Sequence, residues 1–319
     1  RRRDLYMADV TCLGILVADA IAKPVTEIPD SGKLSLVEQI ELHTGGCATN
    51  AAIDLKKMGM PVSIVGKVGN DGFGRFLQAS LVDEGVDVRG LKMDDDSNTS
   101  ASIVLVSEDG ERSFIHCLGS NATFDESDID YGIIKESKIL FVAGALLMPN
   151  FDGEPTARVL KWAKDNDIYT VLDTAWDSIG RWMKAIGPCL PYLDLFMPSI
   201  EEAKMLTDED DVDIMADVFL EMGAKNVVIK MGHKGCFIKN HSERYELPVF
   251  DVEVVDTTGA GDAFVAGFIT GLLKGWDLKK SGIYANAVGA HCVMEMGASN
   301  GIRSLDEIIE FIIERNGEF

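Results

Sequence analysis

The chain has 319 residues, of which 46% are hydrophobic and 26% charged, as in a globular protein with a full core. Its formal net charge of −22 argues against a nucleic-acid-binding protein, because such proteins neutralise phosphates with Lys and Arg. No uninterrupted apolar run reaches the roughly 18 residues that a membrane-spanning helix needs, and no apolar segment typical of a signal peptide follows the N-terminal arginines. We therefore expect no membrane anchor and no signal peptide.

The sequence repeatedly places an amphipathic helix, a glycine and a short β-branched strand in succession. The predicted helices cover residues 50–58, 76–84, 157–165 and 218–222, and the strands that follow them begin at 62, 86, 168 and 227. Such alternation predicts right-handed βαβ units and a mainly parallel sheet, which is an α/β fold.

Two segments do not follow this pattern. Residues 34–42 are typical of a half-buried strand, and residues 99–118 of a hairpin with an Asp109-Gly110 turn. They predict either a small second sheet or a pair of ordinary surface hairpins, and the sequence leaves both open. The acidic runs 94–96 and 208–211 predict solvated loops rather than metal sites.

The cysteines are scattered through apolar stretches, and no two of them have the C-x-x-C spacing of a zinc or redox site. They are Cys12, Cys47, Cys117, Cys189, Cys236 and Cys292. We therefore expect mostly buried free thiols, no structural zinc and a reducing, cytoplasmic location.

The strongest chemical signal is the segment 254–268, in which a β-branched strand enters a glycine-rich turn and an apolar helix follows. Gly259 and Gly261 lack a Cβ atom, so the backbone can approach a ligand closely. The N–H groups of Gly259, Ala260 and Gly261 are expected at a helix N-terminus, where they have no intrahelical acceptor and favour an anion.

An acidic residue, Asp262, lies in the same predicted first turn. Either it interacts with the free N–H groups at the helix start, or it acts as a general base. The second interpretation joins both features in one reaction, because a base removes the proton of a hydroxyl while the N–H groups stabilise a transferring phosphoryl group. The chain lacks the G-x-x-x-x-G-K-[ST] motif, and Phe264 interrupts the G-x-G-x-x-G fingerprint of dinucleotide-binding proteins.

The motif at 256–264, Asp-Thr-Thr-Gly-Ala-Gly-Asp-Ala-Phe, resembles the C-terminal signature of the ribokinase-like family, also called PfkB carbohydrate kinases. A second motif at 44–52, followed by Gly59 and residues 69–74, resembles the N-terminal signature of that family. The resemblance extends from about Gly14 to Gly301. It implies one ribokinase-like domain over residues 1–319: a three-layer α/β/α fold with a mainly parallel sheet and a small β-sheet lid from about 13–24, 34–43 and 99–118.

The resemblance also implies the catalytic and substrate-binding residues. Asp262 is expected to be the general base, and Gly259, Ala260 and Gly261 are expected to form the anion hole for the γ-phosphate. The expected substrate-binding residues are Asp19, Gly45, Gly46 and Asn50. An exposed loop acid at Asp19 and a helix N-cap at Asn50 are the alternatives.

For ATP, the resemblance implies contacts from Lys230, Gly232, Gly235 and Asn286, with a surface lysine and a structural amide as the alternatives. Glu202 is expected to hold Mg²⁺ through water, although Ser199 replaces the Asn of the family's N-x-x-E motif, and a charge on a helix face is the alternative. Many members bind a monovalent cation such as K⁺. It is expected to contact backbone carbonyls near Asp256, Thr258 and Gly297.

The resemblance favours a neutral substrate, because Asp177 and Cys47 stand where other members carry the Arg or Lys that binds an acid or phosphate group. Trp176 and Trp182 either pack in the core or stack on the substrate, and His116 either lies on the surface or contacts the substrate.

We accordingly expect an ATP- and Mg²⁺-dependent phosphotransferase that acts on a ribose- or fructose-like sugar and forms a homodimer through its lid strands. A nucleoside kinase and a catalytically silent sugar-binding or regulatory protein remain the alternatives. A nicotinamide-dependent dehydrogenase is opposed by the missing fingerprint.

Overall fold

The computed structural model describes residues 8–319, whose strands form two separate sheets. The strands in chain order are β1 (Val10–Gly14), β2 (Val17–Lys23), β3 (Gln39–Gly45), β4 (Val62–Gly69), β5 (Asp87–Asp94), β6 (Ala101–Val106), β7 (Arg112–Cys117), β8 (Ile139–Ala145), β9 (Tyr169–Thr174), β10 (Leu195–Phe196), β11 (Val227–Lys230), β12 (Cys236–Lys239) and β13 (Arg244–Leu247). The helices are α1 (Cys47–Lys57), α2 (Gly72–Asp83), α3 (Gly119–Thr123), α4 (Tyr131–Lys135), α5 (Glu154–Asp165), α6 (Trp182–Ile186), α7 (Ile200–Thr207), α8 (Val212–Glu221), α9 (Ala260–Leu273), α10 (Leu278–Val293) and α11 (Leu305–Asn316).

The larger sheet has nine strands in the order β13-β12-β11-β10-β9-β8-β1-β4-β5. The run from β11 to β5 is parallel throughout, whereas β12 and β13 pair in antiparallel fashion at one edge. Parallel neighbours align their carboxyl ends along one edge of the sheet, which is where ligands bind in open α/β folds. The predicted mainly parallel α/β architecture is confirmed.

Alternating residues of the central strands bury their side chains on opposite faces of this sheet. On β8, Phe141 packs on the face covered by α1, α2, α9, α10 and α11, whereas Leu140 and Val142 pack on the face covered by α3 to α8. Strands that are apolar on both faces need helices on both sides. The predicted three-layer arrangement follows from this double burial.

The smaller sheet has four strands in the order β3-β2-β6-β7. Of the two arrangements left open by the sequence, the structure therefore has the second sheet. Its strands are shorter than expected: residues 13 and 14 belong to β1, and β3 begins at Gln39 rather than at 34. Leu34 and Leu36 are 84% and 85% exposed, so no neighbouring element stabilises a strand there.

The predicted helices and strands correspond to α1, α2, α5, α8, β4, β5, β9 and β11, although several predicted ends differ by one or more residues and α8 begins earlier, at Val212. Its start depends on Asp211, whose carboxylate accepts bonds from the N–H groups of Asp213 and Ile214. The acidic run 208–211 is therefore a connection between α7 and α8, with Asp208 in the left-handed conformation at its beginning. No cluster of three or more potential metal-ligating side chains occurs in residues 8–319.

Within the same residues, no helix combines the length and the apolar character needed to cross a bilayer. All six cysteines are free thiols, and only Cys117 is exposed, with Cys47 half-buried.

Asp71 connects the start of α2 to the strand that leads into the smaller sheet. Its carboxylate accepts bonds from the N–H of Gly74 at 2.8 Å and from the N–H and hydroxyl of Thr99 at 2.8 and 2.7 Å. Replacing Asp71 with Ala removes a helix cap and leaves the Thr99 N–H without its acceptor. We expect Asp71→Ala to lower the free energy of unfolding by about 2 kcal/mol in urea titrations.

The exposed Asp96 provides the control, since Asp96→Ala is expected to change that free energy by less than about 0.5 kcal/mol. Equal urea midpoints for the two variants would contradict the role of Asp71.

Candidate active site

The glycine-rich turn lies at the start of α9, at the carboxyl edge of the large sheet. Gly259 has φ of 77°, and a Cβ atom there would lie 2.6 Å from the Cβ of Ala298, so a larger residue does not fit. The first intrahelical bond runs from Ala263 N–H to the Gly259 carbonyl at 2.8 Å. The N–H groups of Gly261 and Asp262 therefore have no intrahelical acceptor, whereas the N–H of Ala260 donates to the Thr257 carbonyl at 3.2 Å.

Asp262 points away from its own helix and towards α1. Its carboxylate accepts a hydrogen bond of 2.8 Å from Nδ2 of Asn50. Burial raises the pKa of Asp262, and the bond from Asn50 and the charge of Lys230 partly oppose that rise. Asn50 lies inside α1 rather than at its N-cap, which is Gly46.

Three cavities meet at this turn. The lid cavity, of about 470 Å³, lies between the smaller sheet and Asp262. The α10 cavity, of about 490 Å³, lies between α10 and the 232–235 turn. The junction cavity, of about 410 Å³, connects these two cavities. It shares Asp262 with the lid cavity and Gly261 with the α10 cavity.

A row of polar side chains crosses the smaller sheet and faces the lid cavity. His43, Asp19, Ser102 and His116 are direct partners on β3, β2, β6 and β7. The Ser102 hydroxyl lies 3.1 Å from Nδ1 of His116. Burial raises the pKa of Asp19, against the effect of the Ser102 hydrogen bond and of both histidines. The sequence left His116 open and did not single out His43 or Ser102.

Gly45 leaves room for Asp19, and Gly46 leaves room for the backbone of residues 15–17. A Cβ atom on Gly45 would overlap the carboxylate of Asp19, and one on Gly46, whose φ is 90°, would lie 2.5 Å from the Ile15 carbonyl. The four expected substrate-binding residues all line the lid cavity. They are Asp19, Gly45, Gly46 and Asn50.

The Lys and Arg side chains that line the lid cavity are paired with carboxylates. Lys23 and Nε2 of His43 each lie 3.1 Å from Glu41. Arg112 lies 2.8 Å from Asp256. The described lining therefore presents hydroxyl-binding groups without a surplus of positive charge.

The α10 cavity contains the expected nucleotide-binding residues and an apolar surface. Gly232, Gly235, Lys230 and Asn286 line it, together with Val252 and other apolar side chains. The Asn286 amide donates to the carbonyls of Leu247 and Pro248 at 3.2 and 3.0 Å. The Asn286 side-chain nitrogen therefore has the structural role that the sequence analysis gave as the alternative to an ATP contact.

Lys230 extends from the end of β11 towards the turn, and its side chain is only 13% exposed. Its Nζ atom would lie 3.7 Å from a Cβ atom placed on Gly261. Burial lowers the pKa of Lys230, but the carboxylates of Asp173, Glu202 and Asp262 raise it more. This lysine is therefore a cation of the site and not a surface residue.

Asp173 is a site residue that the sequence analysis missed. It lies on β9, 3.5 Å from Lys230, and accepts a bond from the Gly144 N–H at 2.8 Å. Burial, with smaller effects from Asp262 and Glu202, raises the pKa of Asp173 to about 7 against the opposing charge of Lys230. Its position near the carboxyl end of a buried parallel strand is the signal that could have identified it.

Glu202 lines the junction cavity and also caps α7. Its Oε2 atom accepts bonds from the Ser199 N–H at 2.8 Å and from the Thr174 hydroxyl at 2.9 Å. One carboxylate oxygen remains for a metal ligand. Mg²⁺ usually keeps several waters and takes few protein ligands beside phosphates, so the pair of Glu202 and Asp173 fits such an ion.

The Asp256 carboxylate, beside the backbone carbonyls expected around a monovalent cation, binds donors of the protein itself. Oδ1 of Asp256 accepts the Thr258 N–H at 3.0 Å and the Thr258 hydroxyl at 2.8 Å. Oδ2 accepts the Gly297 N–H at 2.9 Å and the Arg112 guanidinium at 2.8 Å. Burial alone would raise the pKa of Asp256, but these hydrogen bonds have the larger effect and lower the pKa to about 2. The sequence analysis did not identify Arg112.

The remaining candidates contribute to structure at the edge of the site. Asp177 accepts backbone bonds from Ile179, Arg181 and Trp182 and so fixes the loop before α6. Trp176 is 53% exposed, lines the junction cavity and packs edge-on against Trp182 at 5.0 Å.

Known proteins resemble this chain over nearly its full length. The uncharacterised sugar kinase PH1459 of Pyrococcus horikoshii is 30% identical over 317 residues, which are 97% of this chain and 97% of that protein. The ribokinase of Haemophilus influenzae is 25% identical, and the similarity covers 95% of this chain and 98% of that one.

Solved structures have the same fold. The ribokinase of Thermotoga maritima superposes with a TM-score of 0.83 at 25% identity, covering 97% of this chain and 100% of that chain. The Pyrococcus horikoshii protein in complex with ATP superposes with a TM-score of 0.76 at 28% identity, covering 94% and 97%. A family profile described as pfkB family carbohydrate kinase matches residues 7–305. Since that match spans most of the chain, the protein belongs to the pfkB family of carbohydrate kinases.

Proposed function

We propose that this carbohydrate kinase transfers the γ-phosphoryl group of ATP to a hydroxyl of a neutral sugar, with Asp262 as the general base. One observation carries the proposal: the three cavities share residues of the turn. Asp262 lines both the lid cavity and the junction cavity, and Gly261 lines both the junction cavity and the α10 cavity. An alcohol on one side and a triphosphate on the other would thus meet at one carboxylate. This arrangement is what an in-line transfer requires.

The raised pKa of Asp262 suits a base. Burial makes its carboxylate more basic than an exposed Asp, while the Asn50 bond fixes its orientation. A carboxylate so held takes the hydroxyl proton as the oxygen attacks phosphorus. Its negative charge is balanced by Lys230, which also faces Gly261.

The N–H groups of Gly261 and Asp262 lie where the transferring group would carry negative charge. Together with the positive end of α9 and the ammonium of Lys230, they offer fixed donors that need no rearrangement during the reaction. Bound Mg²⁺ would supply further neutralisation of phosphate charge. Glu202 and Asp173 are the residues proposed to hold it through water.

The polar row across the smaller sheet supports a polyhydroxylated substrate. The Asp19 carboxylate can accept bonds from two neighbouring hydroxyls; His43 and Ser102 flank it, and His116 follows Ser102. The paired state of Lys23 and Arg112 leaves little attraction for a carboxylated or phosphorylated sugar.

A nucleoside is the second candidate. Beyond the polar row, Ile21, Phe114 and Met296 give the lid cavity an apolar part that a base would fill. A sugar and a nucleoside share the ribose-like hydroxyls that Asp19 would bind, so the proposed reaction is the same for both.

A homodimer formed through the smaller sheet is part of this proposal. The outer face of that sheet is apolar: Leu42, Ala20, Ile103 and Ile115 are direct cross-strand partners. Ile103 and Ile115 are 48% and 61% exposed. A second copy offers the same apolar face, so burial of both would remove this surface from water.

We expect Asp262→Asn to lower kcat by at least roughly 10²-fold, because the amide cannot accept the hydroxyl proton. The loss would be measured as ADP formation under saturating ATP and sugar. ATP affinity should stay within about twofold, since the N–H donors are retained. Asp306→Asn on the exposed start of α11 is the control and should keep full activity. Near-normal turnover of the Asp262 variant would refute the assignment of the base.

We expect ribose, fructose or a nucleoside to be phosphorylated faster than sugar acids or sugar phosphates in a panel measured by ATP turnover. Asp19→Asn should raise KM for the preferred compound by about tenfold or more, because a change of that size corresponds to the free energy of one lost charge-assisted hydrogen bond. Glu38→Gln, on the exposed chain before β3, serves as the control. A preference for phosphorylated or carboxylated sugars would contradict the neutral-substrate proposal.

We expect a mass of twice 34.7 kDa by light scattering at micromolar concentration. Ile103→Glu should give the single mass of 34.7 kDa, because a charge in an apolar interface is costly. The matched substitution Ile214→Glu, on α8 and away from the smaller sheet, should leave the dimer intact. A wild-type monomer under these conditions would contradict the dimer.

A further inference from the structure

Arg112 joins the smaller sheet to the turn that precedes α9. It is the first residue of β7, and its guanidinium donates to Oδ2 of Asp256 at 2.8 Å and to the Thr258 hydroxyl. A third contact, of 3.7 Å, reaches the sulfur of Met296. The Arg112 side chain is 26% exposed and that of Asp256 is 6% exposed, so this ion pair is largely shielded from solvent.

Asp256 fixes both segments that flank Gly259. It accepts a bond from Thr258, the residue just before Gly259. It also accepts a bond from the N–H of Gly297, whose neighbour Ala298 packs against Gly259. Removing the charge of Arg112 would leave a carboxylate of very low solvent exposure without a cation. The shape of the α9 N-terminus therefore depends on a positive charge at this position.

A monovalent cation beside the same carboxylate does not fit these residues. It would face the guanidinium of Arg112 at close range, and like charges repel strongly where solvent is scarce. The Cys292 thiol lies 3.4 and 3.2 Å from the carbonyl oxygens of Thr258 and Ala298, and its single hydrogen engages one of them. The geometry disagrees with the cation site that the family resemblance implied.

We propose that Arg112 replaces a monovalent cation: it provides the positive charge that fixes Asp256 and the α9 N-terminus. Arg112 is thus a positioning residue that acts through Asp256 and Thr258. The kinetic consequences rest on the proposed kinase function, whereas the effect on cation binding does not.

The test compares wild type, Arg112→Ala and Arg112→Lys in potassium chloride and in tetramethylammonium chloride at equal ionic strength. Thermal melting is the first readout, because a ligand that binds only the folded state raises Tm. We expect the two salts to give equal Tm values for wild type and Arg112→Lys. Arg112→Ala should melt lower, and potassium should raise its Tm by about 2 °C or more over tetramethylammonium, since the freed carboxylate takes up the cation.

Turnover is the second readout. Wild-type kcat should differ by less than about twofold between the salts, while Arg112→Ala should lose at least roughly tenfold in tetramethylammonium and recover in part with potassium or added guanidinium ion. Arg158→Ala, which removes the exposed pair with Glu126, is the matched control and should behave as wild type in both salts.

Potassium-dependent melting of the wild type would overturn the proposal, as would an Arg112→Ala protein that responds to potassium in neither readout. A wild type without kinase activity on any substrate would refute the proposed function instead. The melting comparison would still decide whether Arg112 replaces the cation.

Discussion

The hydrogen bond between Asn50 and Asp262 is the interaction on which the rest of the site depends. It joins α1 to α9, two helices that are far apart in sequence and follow the two motifs of the chain. Both helices begin at the carboxyl edge of the large sheet, so the sheet brings their N-termini together. The polar row of the smaller sheet and the ammonium of Lys230 then lie on either side of a single oriented carboxylate.

Local patterns in the sequence predicted much of this fold. Apolar periodicity and glycine stops located the helix–strand units, and the Asp109-Gly110 turn located the β6–β7 hairpin. Residues 34–38 show the limit of such patterns: alternating leucines there are typical of a strand, but no neighbouring strand or helix covers them. Burial depends on tertiary neighbours that a local pattern does not contain.

The site was predicted to the extent that its residues lie in short motifs. The glycine-rich turn and the glycines before α1 were identified in this way. Positive φ angles at Gly46 and Gly259 and the close contact of Gly45 with Asp19 explain why glycine is required at these three positions. Asp173 and Arg112 were missed because each acquires its role from a partner distant in sequence: Lys230 for one, Asp256 for the other. A single sequence does not reveal which acid meets which base across a fold.

On strand β2, Asp19 faces the lid cavity and its neighbour Ala20 faces outwards. Side chains alternate strictly along a strand, so a deletion of one residue between Val17 and Asp19 would exchange the two faces. The carboxylate would then emerge among the outer isoleucines, and a methyl group would occupy its place beside the histidines. One deletion would thus remove both the carboxylate proposed to bind hydroxyls and the apolar outer face.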